Sequence, residues 1–203
     1  FTKDIKKNTN IVLSIGHSAA TFIEARDAIR LGATNITHTF NGMTGLNHRD
    51  PGVVGAALTT DAYCEFICDT IHITKDLFQF ILDSKSKDKV ILITDSMEAG
   101  GLEDGTYSLG GQAVIVKDGA ARLESGSLAG SVSSLNNMVR NFYENTKLKI
   151  NEAIHLASLN PAKSLGIDDR KGSLDIGKDA DISIFDENLN CHMTISSGEI
   201  IFK

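Results

Sequence analysis

The sequence lacks the long apolar run that a membrane span requires. No stretch of the 203 residues approaches the roughly 18 consecutive apolar residues of a transmembrane helix. We also expect no signal peptide. We therefore expect a cytoplasmic location and no membrane partner.

An excess of positive charge is also lacking. The chain has 20 Lys and Arg residues against 26 Asp and Glu residues, and its basic residues are scattered rather than gathered in a stripe. This mild acidity argues against nucleic acid as a main partner. With 41% apolar and 23% charged residues, the composition is that of an ordinary globular protein with enough chain for a large core.

Cysteine is scarce, and its spacing matches no zinc pattern. The three cysteines are Cys64, Cys68 and Cys191, an odd number that does not describe a complete disulfide framework. We expect them to be buried thiols.

A unit of strand and helix repeats through the first half of the chain. Apolar, β-branched runs begin at about residues 11, 35, 63 and 90, and they are predicted to be apolar on both faces, as buried parallel strands are. Thr21 with Glu24 predicts a capping box for the first intervening helix. The next predicted helix has Thr74 as its cap, and Lys3 to Asn10 is typical of a polar linker. The repeat length suits a (β/α)8 barrel of roughly 250 residues, but a doubly wound open sheet has the same alternation.

The pattern changes after Asp95. Glycine-punctuated segments predict a β-hairpin with its turn at Asp118 and Gly119. Helices are expected from Leu135, from near Asn151, and from Pro161 to Gly166, followed by a β-rich ending.

Polar residues with catalytic potential follow the apolar runs. His17, His38 and Asp95 close three of them, and Asp69 with His72 closes the remaining one. In a barrel the carboxyl ends of the strands share one face, so these side chains would converge there. Two imidazoles suit a divalent ion of the zinc or iron type, and a carboxylate can accept a proton from a water that the ion activates.

Six motifs in order carry a resemblance to a known family. They are GHSAAT (16–21), THTFNGM (37–43), HRDPG (48–52), DTIHI (69–73), LITDSM (92–97) and GSLAGS (126–131). Together they resemble the amidohydrolase superfamily and, within it, the family of N-acetylglucosamine-6-phosphate deacetylases. The ending from Asn160 to Asp186 is similar to the superfamily's return to its small β domain.

The resemblance implies a role for individual positions. His17 and His38 match two metal ligands, and Asp95 matches the catalytic aspartate. Four positions match the group that holds the sugar phosphate, namely Asn41, Gly42, Arg49 and His72. Leu128, Ala129 and Gly130 match a loop lining the sugar pocket. The implied reaction is metal-dependent hydrolysis of the acetamide of N-acetylglucosamine 6-phosphate, giving glucosamine 6-phosphate and acetate.

The resemblance covers only the C-terminal half of a family member. It implies half of a TIM-type (β/α)8 barrel over residues 1–168, with a β-hairpin insertion near 105–124, and part of a small β-sandwich domain over 169–203. The resemblance implies that the acidic metal ligand lies outside this sequence, so the isolated chain is expected to be inactive. It also implies that the full-length protein is a homodimer.

Two alternatives stay open. One is another amidohydrolase, such as a cyclic amidase or purine deaminase, against which the loop from Asn41 to Arg49 argues. The other is a noncatalytic half-barrel module, which would need none of His17, His38 and Asp95. Among the remaining histidines, His48 could add to an anion site, whereas His155 and His192 are expected to be structural or solvent-facing.

Overall fold

A computed structural model describes residues 1–203 as an α/β protein with seven α-helices and eleven strands. The helices are α1 (Thr2–Asn8), α2 (Phe22–Arg30), α3 (Gly52–Thr59), α4 (Phe78–Ser84), α5 (Leu135–Glu144), α6 (Ile150–Ala157) and α7 (Leu159–Leu165). The strands are β1 (Ser14–Ile15), β2 (Asn35–Ile36), β3 (Tyr63–Phe66), β4 (Val90–Leu92), β5 (Gly105–Leu109), β6 (Gln112–Lys117), β7 (Ala120–Leu123), β8 (Leu128–Ser131), β9 (Ile182–Phe185), β10 (Cys191–Ser196) and β11 (Glu199–Phe202).

A four-stranded parallel sheet organises the first half of the chain. Its strand order is β1-β2-β3-β4, so each strand pairs with the next one along the sequence. Parallel neighbours require a crossover between them, and α2, α3 and α4 lie in those connections. The predicted α/β class is thereby confirmed, although the first two strands are each only two residues long.

The main core lies on the helical side of this sheet. Cys64 and Phe66 of β3 are fully buried there, together with Phe78 of α4 and Phe142 of α5. The rings of Phe78 and Phe142 lie 5.4 Å apart. Since side chains alternate along a strand, Glu65 projects from the opposite face.

The predicted cap of α2 is confirmed. The Thr21 hydroxyl accepts a hydrogen bond from the Glu24 N–H, and the Thr21 N–H donates to the Glu24 carboxylate at 2.8 Å. These reciprocal bonds satisfy two amide groups that the helix start would otherwise leave free. The cap fixes the point at which the chain leaves the end of β1 and enters the helix.

A second sheet is antiparallel and runs in the order β5-β6-β7-β8. The turn between β6 and β7 lies at Asp118 and Gly119, both with positive φ, as the sequence predicted. This sheet has a small core of its own that includes Val114, Val116 and Ala121. Its last strand returns to the end of β4, where Ser131 bridges to Ser96.

A third sheet, in the order β11-β10-β9, closes the chain. Helix α5 holds the loop between β9 and β10, since Arg140 donates to the Asn188 carbonyl at 2.7 Å and Asn136 donates to the Leu189 carbonyl at 2.9 Å. Leu189 itself is buried in the main core. The division into domains at residues 168 and 169 stays a prediction.

Some local predictions were wrong. Cys64 and Cys68 are buried as expected, but Cys191 is only half-buried. The segment predicted as a polar linker forms α1, whose Lys6 ammonium donates to the Ile11 carbonyl. Thr74 precedes a 3-10 turn (Lys75–Leu77) without capping it through its side chain, and α4 begins only at Phe78. No helix of the protein combines the length and apolar character needed to cross a membrane.

Candidate metal and substrate site

The predicted site residues follow the carboxyl ends of the four parallel strands. His17 and His38 come two residues after β1 and β2, and Asp69 and Asp95 come three residues after β3 and β4. Because the strands are parallel neighbours in one sheet, these positions lie along a single edge. The arrangement is that of α/β proteins that bind ligands at the carboxyl ends of their strands.

The two histidines predicted as metal ligands lie in contact. Their ring centroids are 4.7 Å apart with an angle of 85° between the ring planes. His38 is buried and its Nδ1 has no hydrogen-bond partner, whereas His17 is exposed. A buried ring nitrogen without a partner costs about 1–3 kcal/mol, and a bound cation would remove that cost. The pair therefore fits a divalent ion, which imidazole nitrogens bind well.

The chain does not bring a complete metal shell together. No group of three or more His, Cys, Asp or Glu residues is arranged to hold an ion. Two imidazoles alone leave a four-coordinate ion with open positions.

The backbone is left-handed at three of the predicted residues that carry a side chain. The φ angles are +43° at His17, +32° at His38 and +48° at Asp95. A residue with a side chain rarely adopts this conformation, which costs of order 1–3 kcal/mol and clusters at functional sites. The strain points to function at the edge of the sheet, independently of the residue types.

The loops after β1 and β2 are tied to each other. Ser18 bridges to Met43, and the Thr44 hydroxyl donates to the Ala20 carbonyl at 2.7 Å. These contacts place Gly42 against the His17 ring, so closely that a Cβ at Gly42 would lie 2.9 Å from His17 Nδ1. Only glycine at position 42 therefore leaves room for the His17 imidazole where it lies.

The other predicted residues of this loop differ in their exposure and in their hydrogen bonds. The Asn41 amide donates to the His38 carbonyl at 3.3 Å, which fixes its side chain beside the histidine pair. His48 and Arg49 are exposed, and the guanidinium of Arg49 has no hydrogen bond or ion pair within the chain. Arg49 thus remains available to an external anion, but the structure does not bring it into contact with the histidines.

Asp69 and His72 form a buried pair after β3. Their side chains are 4% and 5% exposed, and His72 Nδ1 lies 2.7 Å from an Asp69 carboxylate oxygen. Burial alone would raise the pKa of Asp69, but hydrogen bonds from the His72 ring and from two backbone N–H groups outweigh it. The pKa of Asp69 is therefore held below its ordinary value.

Asp95 is exposed and is held through its backbone by β8. The Ser131 N–H donates to the Asp95 carbonyl at 2.9 Å, and the Ser131 hydroxyl donates to the Thr94 carbonyl. A Cβ at Gly130 would lie 2.8 Å from the Asp95 carbonyl oxygen. Leu128, Ala129 and Gly130, predicted as a loop, thus lie on a strand beside this aspartate.

Sequence reasoning missed Glu65. It lies on the face of β3 opposite the core, beside Asn35 and His38. Burial raises the pKa of Glu65. A charged residue between the buried Cys64 and Phe66 was the available signal, since the strand was predicted to be apolar on both faces.

Known proteins resemble this chain along nearly its whole length. Residues 5–201 match the sequence family described as the amidohydrolase family. A Lysinibacillus sphaericus protein named N-acetylglucosamine-6-phosphate deacetylase is 43% identical over 193 residues, which are 95% of this chain and 50% of that protein. An Escherichia coli O157:H7 protein named N-acetylgalactosamine-6-phosphate deacetylase is 42% identical over 195 residues, covering 96% of this chain and 52% of that protein.

The fold gives the same assignment. The crystal structure of N-acetylglucosamine-6-phosphate deacetylase from Thermotoga maritima superimposes with a TM-score of 0.92 at 41% identity, covering 99% of this chain and 55% of that one. The chain therefore spans about half the length of the relatives it matches. The family match extends over nearly all of its residues, and the chain belongs to the amidohydrolase family.

Proposed function

We propose that the chain supplies the C-terminal half of a metal-dependent deacetylase. The reaction is hydrolysis of the acetamide of N-acetylglucosamine 6-phosphate to glucosamine 6-phosphate and acetate. The observation that carries the proposal is the pair of imidazoles in contact at the sheet edge, one of them with an unpartnered buried nitrogen. The names of the relatives from Lysinibacillus sphaericus and Thermotoga maritima support the substrate.

The proposal includes the architecture of the complete protein. Residues 1–168 would form half of a (β/α)8 barrel and residues 169–203 part of a small β-sandwich domain. In support, the parallel strands have helices and the main core on one side, and Glu65 on the other side is only half-buried. The outer strands of the sheet, β1 and β4, each pair with one parallel neighbour only. The other half of a barrel would cover both features.

His17 and His38 would hold the ion, with a third ligand from outside this chain. When bound, a divalent ion of the zinc or iron type would lower the pKa of a water toward neutrality and polarise the acetamide carbonyl. Imidazole ligands suit both metals. The three cysteines are free thiols, which supports a reducing, cytoplasmic compartment.

Asp95 is the proposed general base and acid. Its carboxylate would accept the proton of the attacking water and then give it to the leaving amine nitrogen. The side chain is exposed at the sheet edge, so a substrate can reach it. The hydrogen bond from Ser131 and the close approach of Gly130 restrict its backbone, which fixes the direction in which the carboxylate leaves the chain.

The sugar phosphate would be bound by residues around these groups. The backbone N–H of Gly42 is approachable because no side chain covers it, and the free guanidinium of Arg49 can bind two phosphate oxygens. Asn41 and His72 would add hydrogen bonds. Leu128, Ala129 and Gly130 would line the sugar, since β8 lies directly beside Asp95.

A second substrate is favoured by one specific observation. The Escherichia coli O157:H7 relative is named for the galactosamine epimer, and its identity of 42% is nearly the same as that of the glucosamine-named relatives. Sequence similarity therefore does not separate the two epimers, and N-acetylgalactosamine 6-phosphate is the alternative substrate.

The decisive experiment restores a complete barrel. This chain replaces its matching region in the Thermotoga maritima enzyme, and acetate release is measured from both 6-phosphorylated epimers. Hydantoin and adenine serve as substrates of the rival amidohydrolase activities. We expect the chimera to deacetylate one or both sugar phosphates and the 203-residue chain alone to have little activity.

Asp95→Asn tests the mechanism in the same chimera, with Asp83→Asn on the surface of α4 as its control. Losing a general base costs typically 10² to 10⁴ in rate, so we expect turnover to fall by at least about a hundredfold in the Asp95 variant alone. A folded chimera that releases no acetate would contradict the function. Full turnover in the Asp95→Asn variant would remove Asp95 from the mechanism.

A further inference from the structure

The turn that follows β3 holds a pair formed by Asp69 and His72. The proposed reaction gives no role to Asp69. His72 Nδ1 and Asp69 Oδ2 are 2.7 Å apart, and both side chains are almost completely buried. The two residues are three positions apart, so the turn itself brings them together. Buried charge-assisted hydrogen bonds of this length are stronger than neutral ones.

The aspartate is oriented by the backbone. Its other oxygen, Oδ1, accepts hydrogen bonds from the N–H groups of Ile71 at 2.9 Å and His72 at 2.8 Å. Thr70, which lies between Asp69 and Ile71, has a left-handed backbone with φ of +71°. With Oδ1 engaged twice, only Oδ2 is available to the imidazole, and the carboxylate cannot rotate without losing both backbone bonds.

This arrangement decides which ring nitrogen carries the proton. A carboxylate only accepts hydrogen bonds, so His72 Nδ1 must be the donor. Nε2 has no hydrogen-bond partner in the protein, and it is not among the polar atoms sealed from solvent without one. The neutral ring therefore presents its lone pair at Nε2, and it donates from Nε2 only after taking up a second proton.

We propose that Asp69 is a positioning residue that holds the His72 imidazole with its proton on Nδ1 and turns Nε2 toward the substrate. The substrate contact rests on the proposed function; the protonation of the ring does not. Neutral His72 accepts a hydrogen bond from a sugar hydroxyl. As an imidazolium it donates to a phosphate oxygen, and the adjacent Asp69 carboxylate balances its charge.

The tautomer is measured directly by NMR of the 203-residue chain labelled with ¹⁵N in histidine. The His72→Gln variant assigns the His72 signals by their disappearance. We expect His72 to show a proton fixed on Nδ1, whereas exposed His155, whose ring makes no hydrogen bond, shows an averaged signal. An averaged His72 ring, or a proton fixed on Nε2, overturns the proposal.

Asp69→Asn tests the cause. The amide oxygen that this substitution introduces can still accept from the two backbone N–H groups, while the new NH₂ group would donate toward His72 Nδ1 and move the ring proton to Nε2. We expect this reversal in the Asp69→Asn variant and no change in Asp83→Asn. If the Asp69→Asn variant does not fold, the wild-type signal alone decides, because a proton on Nδ1 is required whether or not the variant is stable.

Titration of the Asp95→Asn chimera with N-acetylglucosamine 6-phosphate separates this proposal from the proposed function, because the chimera has the complete barrel. We expect the sugar phosphate to shift His72 Nε2 in this chimera. Adding Asp69→Asn should raise the dissociation constant by up to about tenfold, as for one lost hydrogen bond from a sugar hydroxyl. A fixed Nδ1 proton with no response to the ligand refutes the substrate role of His72 and leaves the pair intact. Ligand binding by a chain whose His72 proton is on Nε2 refutes the positioning role alone.

Discussion

Gly42→Ala tests how the loop after β2 places the first metal ligand. The substitution has two separable effects. Gly42 has φ of +58°, a conformation that costs a residue with a side chain about 1–2 kcal/mol. In addition, the new Cβ would lie 2.9 Å from His17 Nδ1, whereas ordinary contact begins at 3.4 Å. The imidazole must therefore retreat by about half an ångström, the difference between these two distances.

The expected stability and metal affinity depend on how the His17 ring moves. His17 is exposed, so it can move aside without disturbing the core, and the stability cost should stay near the backbone value. Metal–ligand distances tolerate only about 0.2 Å, however, so the same movement should weaken metal binding by about 10- to 100-fold. Stability and metal affinity should thus respond differently to one methyl group.

Two other glycines serve as controls that separate the backbone cost from the contact with His17. Gly101 has φ of +81° and no atom within 4 Å of an added Cβ, so Gly101→Ala carries the backbone cost alone. Gly45, in the same loop as Gly42, has open space and no positive φ, so Gly45→Ala should change stability by less than about 0.5 kcal/mol. Urea unfolding measures stability and calorimetric titration with Zn²⁺ measures affinity. Equal zinc affinity in the Gly42 and Gly101 variants would refute the reasoning.

Three further predictions concern stability and are checked by urea unfolding. Gly130→Ala should cost more than the Gly101 control, because its Cβ would lie 2.8 Å from the Asp95 carbonyl oxygen, a backbone atom that cannot swing aside; equal costs would show that this approach is unimportant. Lys85→Met should cost about 1–3 kcal/mol, because the buried ammonium donates at 2.8 Å and 2.6 Å to two carbonyl groups at the end of α3. Exposed Lys163→Met is its control, and a loss no larger than the control's would be contrary evidence. The lowered pKa of Asp69 means that its carboxylate stabilises the fold above the ordinary Asp pKa of about 3.9, and that this contribution is lost as pH falls through the lowered value. The stability difference between the wild type and Asp69→Asn should therefore shrink as the pH falls below about 4; a difference that widens in acid would exclude this linkage.

The positions of the site residues along the sheet were predictable because parallel strands impose them. An apolar run followed by a polar residue marks the end of a strand, and successive βα units place such ends side by side. His17, His38 and Asp95 could therefore be assigned to one edge without any contact between them in the sequence. The cap of α2 was equally predictable, because Thr21 and Glu24 interact locally.

The left-handed backbone at three site residues could not be predicted. Histidine and aspartate at positive φ run against the conformational preferences on which sequence reasoning depends. The surrounding contacts impose these angles, as the bonds from Ser131 do at Asp95. At Asp95 these contacts come from a residue more than 30 positions further along the chain, so no local pattern contains them.

Helix α1 and Glu65 were not predicted because the local sequence gave a weak or misleading pattern. Helix α1 has three lysines among its seven residues and no buried residue, so no apolar periodicity indicated it. Glu65 was overlooked because β3 was treated as buried on both faces. In the structure only Cys64 and Phe66 face the core, and the strand alternates after all.

Anomalous diffraction at the zinc edge, from crystals of the chain grown with Zn²⁺, tests the shared ion most directly. The account predicts a peak within about 2.1 Å of a ring nitrogen of both His17 and His38, at the edge of the sheet that bears Asp95. A zinc ion that contacts only one of the two rings, or one bound at another part of the chain with this edge empty, would contradict it.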